Sequence, residues 1–299
     1  MKSNRYNLIV IVGPTASGKS KLAVRLARKF SGEIISADSR QVYRGLDIGT
    51  GKITKDEMQG VSHHLIDVAD PRRQFSVVEF QHLAEQSIRD ITRRGKLPFL
   101  VGGTGFWVDA VARGLRLPAV PPNKALRKRL GKKNARELFR ILKRLDPARA
   151  RTIERQNPRR LIRAIEIARA IGRTPNVKRR MPYRLLWIGL HPKPGALKAR
   201  IERRIAGMLR AGLILETTRL LGRNVSPTRI REFGFEYRTV LDYLSERISR
   251  DHLAARIVRD SVAYARRQLA WFRKNRDICW VKNAPAAERL VRRFLLVSG

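Results

Sequence analysis

The sequence feature that most constrains the fold is a glycine loop near the amino terminus. Residues 13–20 match the pattern G-x-x-x-x-G-K-[ST]; they are Gly13, Pro14, Thr15, Ala16, Ser17, Gly18, Lys19 and Ser20. An apolar, β-branched run at residues 8–12 precedes the loop, and Leu22, Leu26 and Phe30 follow it at helical spacing. Between a strand and a helix, such a loop directs backbone N–H groups and a lysine at phosphate oxygens. The motif therefore predicts a P-loop.

Further apolar runs extend the strand-helix pattern along the chain. Residues 33–38 and 97–101 are interpreted as a second and a third strand, and residues 185–190 as a later one. Alternating strands and helices are typical of an open parallel sheet, whose ligands lie beyond the carboxyl ends of its strands. We therefore predict an α/β fold class, with a P-loop NTPase-like parallel sheet flanked by helices.

A basic helical segment interrupts this pattern. Between residues 119 and 180 the chain carries twenty-one Lys or Arg against four acidic residues. Apolar residues recur at helical spacing, as at Leu138 and Leu142, which predicts amphipathic helices. Because a strand follows the segment, it is inserted into the α/β core rather than appended to it. The predicted domains are a discontinuous core, 1–120 and 183–299, and a helical insertion, 121–182.

The charge of the chain indicates the class of its partner. Its 65 Lys and Arg exceed its 25 Asp and Glu by enough to give a formal net charge of +40. Solubility alone does not require so large a charge, which favours a polyanionic partner. A wholly basic proteome would produce the same bias. The charge therefore indicates a partner class and leaves the reaction open.

Cysteine content and hydropathy restrict the setting of the protein. Cys279 is the single cysteine, which excludes disulfides within the chain and a multi-cysteine zinc site, and it fits a reducing cytosol. No segment is long and apolar enough to span a membrane. We expect a cytoplasmic protein without a membrane partner, acting as a monomer, although the sequence carries no signal of oligomeric state.

The P-loop predicts that a phosphate group is bound, but it does not identify the reaction. ATP hydrolysis, phosphoryl transfer and chemistry with diphosphate as the leaving group all use such a loop. A hydrolase usually places an Asp at the end of a later strand, whereas the strand at 97–101 ends in residues 102–105, Gly-Gly-Thr-Gly. Asp38 instead ends the strand after the P-loop helix. A carboxylate there is a magnesium partner, a general base or only the cap of a turn.

Seven ordered blocks, from about residue 8 to residue 273, make the chain resemble the tRNA dimethylallyltransferases, also called tRNA isopentenyltransferases. The resemblance covers nearly all of the chain, and no single block would justify it. The blocks are GPTASGKS at 13–20, DSRQVY at 38–43, DIGT at 47–50, HHLID at 63–67, GGTG at 102–105, RLIRAIE at 160–166 and RRQLAWF at 266–272.

The resemblance implies a reaction and roles for the site residues. Dimethylallyl diphosphate would bind with its diphosphate on the P-loop residues 13–20, assisted by Arg204 and by a magnesium ion at Ser20. Asp38 matches the family's general base, and Thr104 is the second residue of the implied catalytic pair. The acceptor would be an exocyclic amine of adenosine, next to the anticodon of a tRNA. Positioned general bases contribute on the order of 10²–10⁴ in rate.

The resemblance also implies an RNA-binding surface. The target base must leave a stacked anticodon loop, which costs a few kcal/mol and demands additional contacts with the RNA. Positions that match or adjoin the family's tRNA contacts are Asp38, Ser39, Arg40, Gln41, Thr104, Arg127, Arg159, Arg160, Leu161, Ile162 and Arg163. The remaining cations of the insertion would engage phosphate without reading sequence.

The chain departs from the family pattern in two short segments and at one further residue. This chain has Gly-Thr-Gly-Lys-Ile at 49–53 where Gly-Thr-Ala-Lys-Pro is frequent, and Gly-Phe-Glu-Tyr at 234–237 where Gly-Tyr-Lys-Glu is frequent. It also has Arg159 where Gln is frequent. The departures at 49–53 and 234–237 lie near expected substrate walls and bear on fine geometry and activity level rather than on reaction class.

Two further groups have alternative interpretations. Tyr264, Gln268 and Trp271 share one helix face, and they either pack in the core or line the site. The adjacent His63 and His64 lack a nearby cysteine cluster, which favours packing or capping in a loop over a metal site.

Three rival functions stay open beside the prenyl transfer to tRNA. An adenylate isopentenyltransferase would modify free nucleotides, but it has no evident need for a basic helical insertion. A small-molecule P-loop kinase would turn over ATP and would need a phosphoryl acceptor pocket. A nonenzymatic RNA-binding protein would keep the P-loop only for folding. The joint presence of Asp38, Thr104 and Arg204 argues against the last.

Overall fold

The computed structural model describes residues 6–175 and 183–297 of the 299-residue chain. The strands within these ranges are β1 (Tyr6–Val12), β2 (Gly32–Ser36), β3 (His63–His64), β4 (Leu97–Gly102), β5 (Tyr183–Leu190) and β6 (Ile278–Val281). They form one sheet in the order β3-β2-β4-β1-β5-β6, and every neighbouring pair is parallel. The predicted α/β class with a parallel sheet is confirmed.

Helices connect the strands and cover both faces of the sheet. In chain order they are α1 (Lys19–Lys29), α2 (Lys55–Met58), α3 (Val77–Arg93), α4 (Gly105–Ala112), α5 (Lys124–Leu130), α6 (Ala135–Leu145), α7 (Pro147–Thr152), α8 (Pro158–Ile171), α9 (Pro194–Arg210), α10 (Leu213–Gly222), α11 (Pro227–Glu232), α12 (Phe235–Leu244), α13 (Arg250–Phe272) and α14 (Ala284–Leu296). Among the described helices none is long and apolar enough to cross a membrane.

The central strand β1 explains why the sheet is covered on both sides. Successive side chains of a strand point to opposite faces, so Leu8 and Val10 lie in one core layer and Ile9 and Ile11 in the other. All four are fully buried, and burying an aliphatic side chain of this size contributes about 1.5–3 kcal/mol. Helices α1 and α14 cover the Ile9 face, and α3, α4 and α9 to α13 cover the Leu8 face.

The chain divides into two compact units. One contains the sheet and its covering helices. The other is Leu115–Arg180, of which residues 115–175 are described and contain α5 to α8. This second unit has its own apolar core, in which Leu138 and Leu142 of α6 pack with Leu161 and Ile165 of α8. The amphipathic pattern seen in the sequence is therefore satisfied within the unit itself.

Two strands differ from the sequence interpretation. His63 and His64, expected to pack in a loop, form the short strand β3 at one edge of the sheet. His64 Nε2 lies 2.7 Å from Glu33 Oε2, while His63 Nδ1 lies 2.8 Å from the Val61 carbonyl oxygen. Within residues 6–175 and 183–297, no group of three or more His, Cys, Asp or Glu could hold a metal. Strand β6, which the sequence did not indicate, forms the other edge.

Candidate active site

The P-loop begins where β1 ends and closes at the first residue of α1. Ala16 and Gly18 adopt left-handed backbone conformations, with φ of 57° and 89°, which turn successive N–H groups toward one side. Lys19 donates from Nζ to the Pro14 carbonyl oxygen at 3.3 Å. The Ser17 hydroxyl is buried and has no hydrogen-bond partner among the described residues. The loop therefore offers backbone N–H groups, an ammonium and a free hydroxyl to an anion.

A cavity lies beyond the carboxyl ends of β1, β2 and β4. The P-loop side of its wall comprises Thr15, Lys19 and Ser20. The remaining polar wall comes from distant parts of the chain: Ser36, Asp38, Arg40, Gln41, Thr50, His63, Arg204, Tyr264 and Gln268. The fold thus brings the phosphate-binding loop, a carboxylate and two arginines to one space, as expected at the switch point of a parallel sheet.

Asp38 lies two residues after β2 and faces this cavity. Its Oδ1 accepts a hydrogen bond from the Arg40 backbone N–H at 2.9 Å, so it caps the turn, as one interpretation of the sequence expected. Its second carboxylate oxygen makes no hydrogen bond within the described residues. Thr104, at the start of α4, accepts from the Ser39 backbone N–H at 3.2 Å and joins the two strand ends. Asp38 is therefore held by one oxygen and free to accept a proton with the other.

Arg204 reaches the cavity from α9. It donates from Nη2 to the Thr50 carbonyl oxygen at 3.0 Å and from Nη1 to Thr15 Oγ1 at 3.4 Å, which places its guanidinium beside the P-loop. Gly51 has φ of 55°, and a Cβ on this residue would overlap the guanidinium. The glycine that departs from the family pattern therefore leaves room for Arg204. Burial lowers the pKa of Arg204, and the nearby Arg40 lowers it further.

A buried carboxylate that the sequence interpretation missed holds the loop that carries Thr50. Glu216 of α10 accepts hydrogen bonds from the backbone N–H groups of Asp47, Ile48 and Gly49 at 2.7–2.9 Å. It also accepts one from the Tyr237 hydroxyl at 2.7 Å. An acidic residue within an apolar helix face was the available signal, because an ionised group is rarely buried without partners. Glu216 fixes the wall that receives Arg204.

Arg40 is held inside the wall rather than presented at a surface. It donates from Nη1 to Glu236 Oε2 at 2.6 Å, and its guanidinium lies 5.7 Å from the ring centroids of Phe235 and Tyr264. Glu236, at a second departure from the family pattern, is 5% exposed. Burial lowers the pKa of Arg40, but the Glu236 and Asp38 carboxylates outweigh it and raise the pKa overall. Burial raises the pKa of Glu236, opposed by Arg40.

Lys19 is a cation of the cavity whose pKa lies below its usual range. Burial lowers the pKa of its ammonium to about 8, Asp38 opposes this, and Arg204 and Arg40 add to it. Three cations thus share the cavity with one lining carboxylate, that of Asp38, while Glu236 pairs with Arg40 behind the wall. The cavity therefore has an excess of positive charge, which favours the binding of an anion.

Gln41 and three residues of α13 differ in whether their side chains line the cavity or pack against the protein. Gln41 lines the cavity, but it donates from Nε2 to the Gly51 carbonyl oxygen at 3.2 Å and accepts from Ser36 Oγ at 3.3 Å. Tyr264 and Gln268 line the cavity, whereas Trp271 packs over Gly105. Both interpretations of the α13 trio therefore apply, each to part of it.

The six remaining residues of the predicted RNA-binding set lie in the second unit. Arg127 donates twice to Glu166 at 2.8–2.9 Å, and Arg163 also pairs with this carboxylate, which is 2% exposed. Arg160 pairs with Glu154 at 3.0 Å, and both of these side chains are exposed.

The other three residues of this set differ in exposure. Arg159 is exposed and Ile162 is half-buried. Leu161 is fully buried in the core of the unit, so its side chain offers no surface to RNA, and we leave it out of the interface.

The sheet and the site together define an α/β P-loop protein with a cavity lined by three cationic side chains. A family model described as IPP transferase matches residues 41–275, and one described as isopentenyl transferase matches residues 6–73. The chain belongs to the IPP transferase family and is an enzyme of the transferase class.

Individual relatives support this membership along most of the chain. The tRNA dimethylallyltransferase of Roseiflexus sp. is 46% identical over 274 residues, covering 89% of this chain and 90% of the relative. That of Halalkalibacterium halodurans is 42% identical over 287 residues, covering 92% and 91%.

Solved structures give the same result for the fold. The full-length tRNA isopentenylpyrophosphate transferase from Bacillus halodurans superposes with a TM-score of 0.74 at 39% identity, covering 98% of this chain and 97% of that one. A eukaryotic dimethylallyltransferase acting on tRNA gives a TM-score of 0.77 at 27% identity, covering 89% and 70%.

Proposed function

We propose that the protein transfers a dimethylallyl group from dimethylallyl diphosphate to the exocyclic amine of the adenosine 3′ of the anticodon in tRNA, releasing diphosphate. The observation that carries this proposal is the free oxygen of Asp38 in the cavity that Lys19 and Arg204 also line. A base and an anion cradle in one space suit a reaction that removes a proton and releases a polyanion. The names of the relatives support tRNA as the acceptor.

Each step has a candidate residue. The amine nitrogen attacks C1 of the dimethylallyl group as the bond from C1 to the diphosphate oxygen breaks. The proton of the amine passes to the free oxygen of Asp38. Because the lone pair of the amine is delocalised into the ring, removing this proton assists the attack, and a positioned base contributes about 10²–10⁴ in rate. Lys19, Arg204 and the P-loop N–H groups stabilise the charge that develops on the diphosphate.

The residues at the start of α1 fit a magnesium ion. Ser20 lies in the first turn of α1, is exposed and lines the cavity with Asp38. A P-loop hydroxyl supplies one oxygen ligand, and magnesium takes its other ligands from phosphate oxygens and water. We propose that Ser20 would hold the ion, which when bound would supply positive charge beside the diphosphate.

The second unit is proposed to bind the RNA. Arg159 and Arg160 are exposed on α8, and Arg127 and Arg163 are half-buried beside Glu166. Contacts between cations and phosphate supply affinity without reading sequence. In the first unit Ser39, Gln41 and Thr104 line or adjoin the cavity and are proposed to contact the target nucleotide. The domain assignment as a catalytic core and a tRNA-binding insertion rests on this division.

A transfer assay distinguishes the proposed function from its rivals. Purified protein, magnesium and labelled dimethylallyl diphosphate are incubated in parallel with unmodified tRNA, with the same tRNA lacking the target adenosine, and with AMP. We expect label on the first acceptor alone. Transfer to AMP but not to tRNA would indicate an adenylate isopentenyltransferase. Release of phosphate from ATP without prenyl transfer would indicate a kinase or an ATPase.

The pKa of Lys19 predicts how donor binding depends on pH. Its ammonium has a pKa of about 8 in the free protein, and a bound anion raises it, so the charged form binds the donor more tightly. Affinity is therefore full below pH 8 and falls as the pH rises above it. Calorimetric titration with dimethylallyl diphosphate between pH 7 and pH 9.5 should show weaker binding and proton uptake at the upper end.

The matched control for this titration is Lys19→Arg. An arginine stays charged throughout the range, so the variant should lose the pH dependence and the proton uptake. An unchanged pH dependence in this variant would assign the titration to another group.

A further inference from the structure

Gln268 of α13 joins two loops of the cavity with one amide group. Its Oε1 accepts a hydrogen bond from the Thr15 backbone N–H at 2.8 Å, and its Nε2 donates to the Gly103 carbonyl oxygen at 2.9 Å. The side chain is 7% exposed. The two bonds use opposite ends of the amide, so they also fix which end faces which loop. A single side chain thus connects the P-loop with the turn that follows β4.

The surroundings of Gln268 leave it little freedom to move. A Cβ on Gly103 would overlap Nε2 of Gln268, so the absence of a side chain there allows the amide to reach the backbone. Trp271, almost one turn further along α13, donates from Nε1 to Asp109 Oδ2 at 2.9 Å and packs over Gly105. Helix α13 is therefore anchored to the same turn and to α4. The pairing of Val12 with Gly102 holds the starts of the two loops side by side, and Gln268 adds a link between them further along the chain.

We propose that Gln268 is a positioning residue that fixes the P-loop, which would hold the donor, relative to the turn that would hold the acceptor. Thr15 carries the hydroxyl that meets Arg204, and Gly103 precedes Thr104, which holds the Ser39 backbone beside Asp38. Gln268 acts through these neighbours and not on a reacting atom. This inference rests on the proposed function, because it concerns the alignment of the two substrates.

Alignment affects turnover more than it affects binding. Each substrate keeps its own contacts when the loops shift, but attack requires the reacting atoms in line and about 3–3.5 Å apart, and a misplacement of about 1 Å can cost on the order of 10² in rate. Replacing Gln268 by Leu keeps a similar volume and removes both hydrogen bonds. We expect kcat to fall by roughly 10–100-fold. The KM values for donor and tRNA should change by less than about threefold, since only transition-state stabilisation is lost.

A matched control separates this effect from a loss of folded protein. Gln81 is half-buried on α3 and donates from Nε2 to the Ala110 carbonyl oxygen at 3.1 Å. The variant Gln81→Leu therefore removes a similar hydrogen bond, from a side-chain amide to a backbone carbonyl, at a place away from the cavity. Both variants should have lower melting temperatures, since each leaves a backbone group unpaired. Only Gln268→Leu should lose kcat per folded molecule, measured by single-turnover transfer.

The variant Gln268→Glu gives a readout that a purely structural role would not change. When ionised, the introduced carboxyl accepts from Thr15 but repels the Gly103 carbonyl oxygen. When protonated, it offers one O–H donor and one acceptor oxygen, the two functions that the amide uses at this place. The kcat of this variant, divided by that of the unmodified chain, should rise as the pH falls.

The same ratio for Gln268→Leu should be constant with pH. The charged and titratable groups that line the cavity with Gln268 are Lys19, Asp38, Arg40, His63, Arg204 and Tyr264. They are present in all three proteins, so the ratio largely cancels their own titration.

The outcomes separate the inference from the function on which it rests. If the unmodified chain transfers the dimethylallyl group to tRNA and Gln268→Leu keeps kcat within twofold, the inference is wrong and the proposed function stands. A Gln268→Glu ratio that is constant with pH overturns the inference in the same way. If the unmodified chain transfers no group to tRNA, the proposed function fails and the inference fails with it.

Discussion

Replacing Asp38 by Asn is expected to lower the turnover number for prenyl transfer by about 10²–10⁴ while leaving both substrates bound. The amide keeps an oxygen that accepts from the Arg40 backbone N–H, so the turn after β2 should persist. It cannot take a proton from the amine. Removing one negative charge from a cavity that contains Lys19, Arg40 and Arg204 should leave donor binding unchanged or tighten it.

The measurement for Asp38 is single-turnover transfer at saturating tRNA and donor, because slow product release would otherwise mask the chemical step. The matched control is Asp47→Asn, which makes the same change at an exposed carboxylate that pairs with Lys52. The control should keep full turnover. Turnover of Asp38→Asn within twofold of the unmodified chain would remove Asp38 as the base.

The sequence predicted the parts of the protein in which chemistry restricts each residue. The P-loop is one such part, since its glycines, Lys19 and Ser20 each have a defined task beside a phosphate. Strand β1 is another, because a strand buried on both faces must be continuously apolar. Strand β6 has no such signature. It is a four-residue edge strand in which Cys279 and Trp280 are exposed.

The site residues that the sequence did not predict are held by contacts with residues far away along the chain. Glu216 binds backbone groups 167 to 169 positions away, and Glu236 binds Arg40 across 196 positions. No local pattern encodes such partners. Gln268 was recognised as one of three residues on a helix face, but helical spacing alone does not say whether a face meets a core or a cavity. The structure divides the three because Trp271 meets Gly105 while Gln268 meets two loops.

Replacing Arg204 by Met is expected to lower kcat/KM for the donor by at least about 10²–10³, the usual cost of removing one preorganised donor from a site of developing charge. The guanidinium lies beside Thr15 of the P-loop, where the proposed reaction would place the departing diphosphate. Methionine keeps much of the apolar stem and removes the charge. Because diphosphate is bound in the ground state and gains charge in the transition state, both donor affinity and kcat should fall.

The adjacent Arg203 provides the matched control. It lies on α9 next to Arg204 but is exposed, and within residues 6–175 and 183–297 it donates only to the Ala199 carbonyl oxygen at 3.4 Å, one turn earlier in the same helix. Arg203→Met therefore changes the net charge of the chain by the same amount without reaching the cavity. If the role of Arg204 is local, Arg203→Met keeps kcat/KM within twofold. If both variants lose activity equally, the overall positive charge of the chain attracts the donor. Arg204 then does not specifically stabilise the leaving diphosphate.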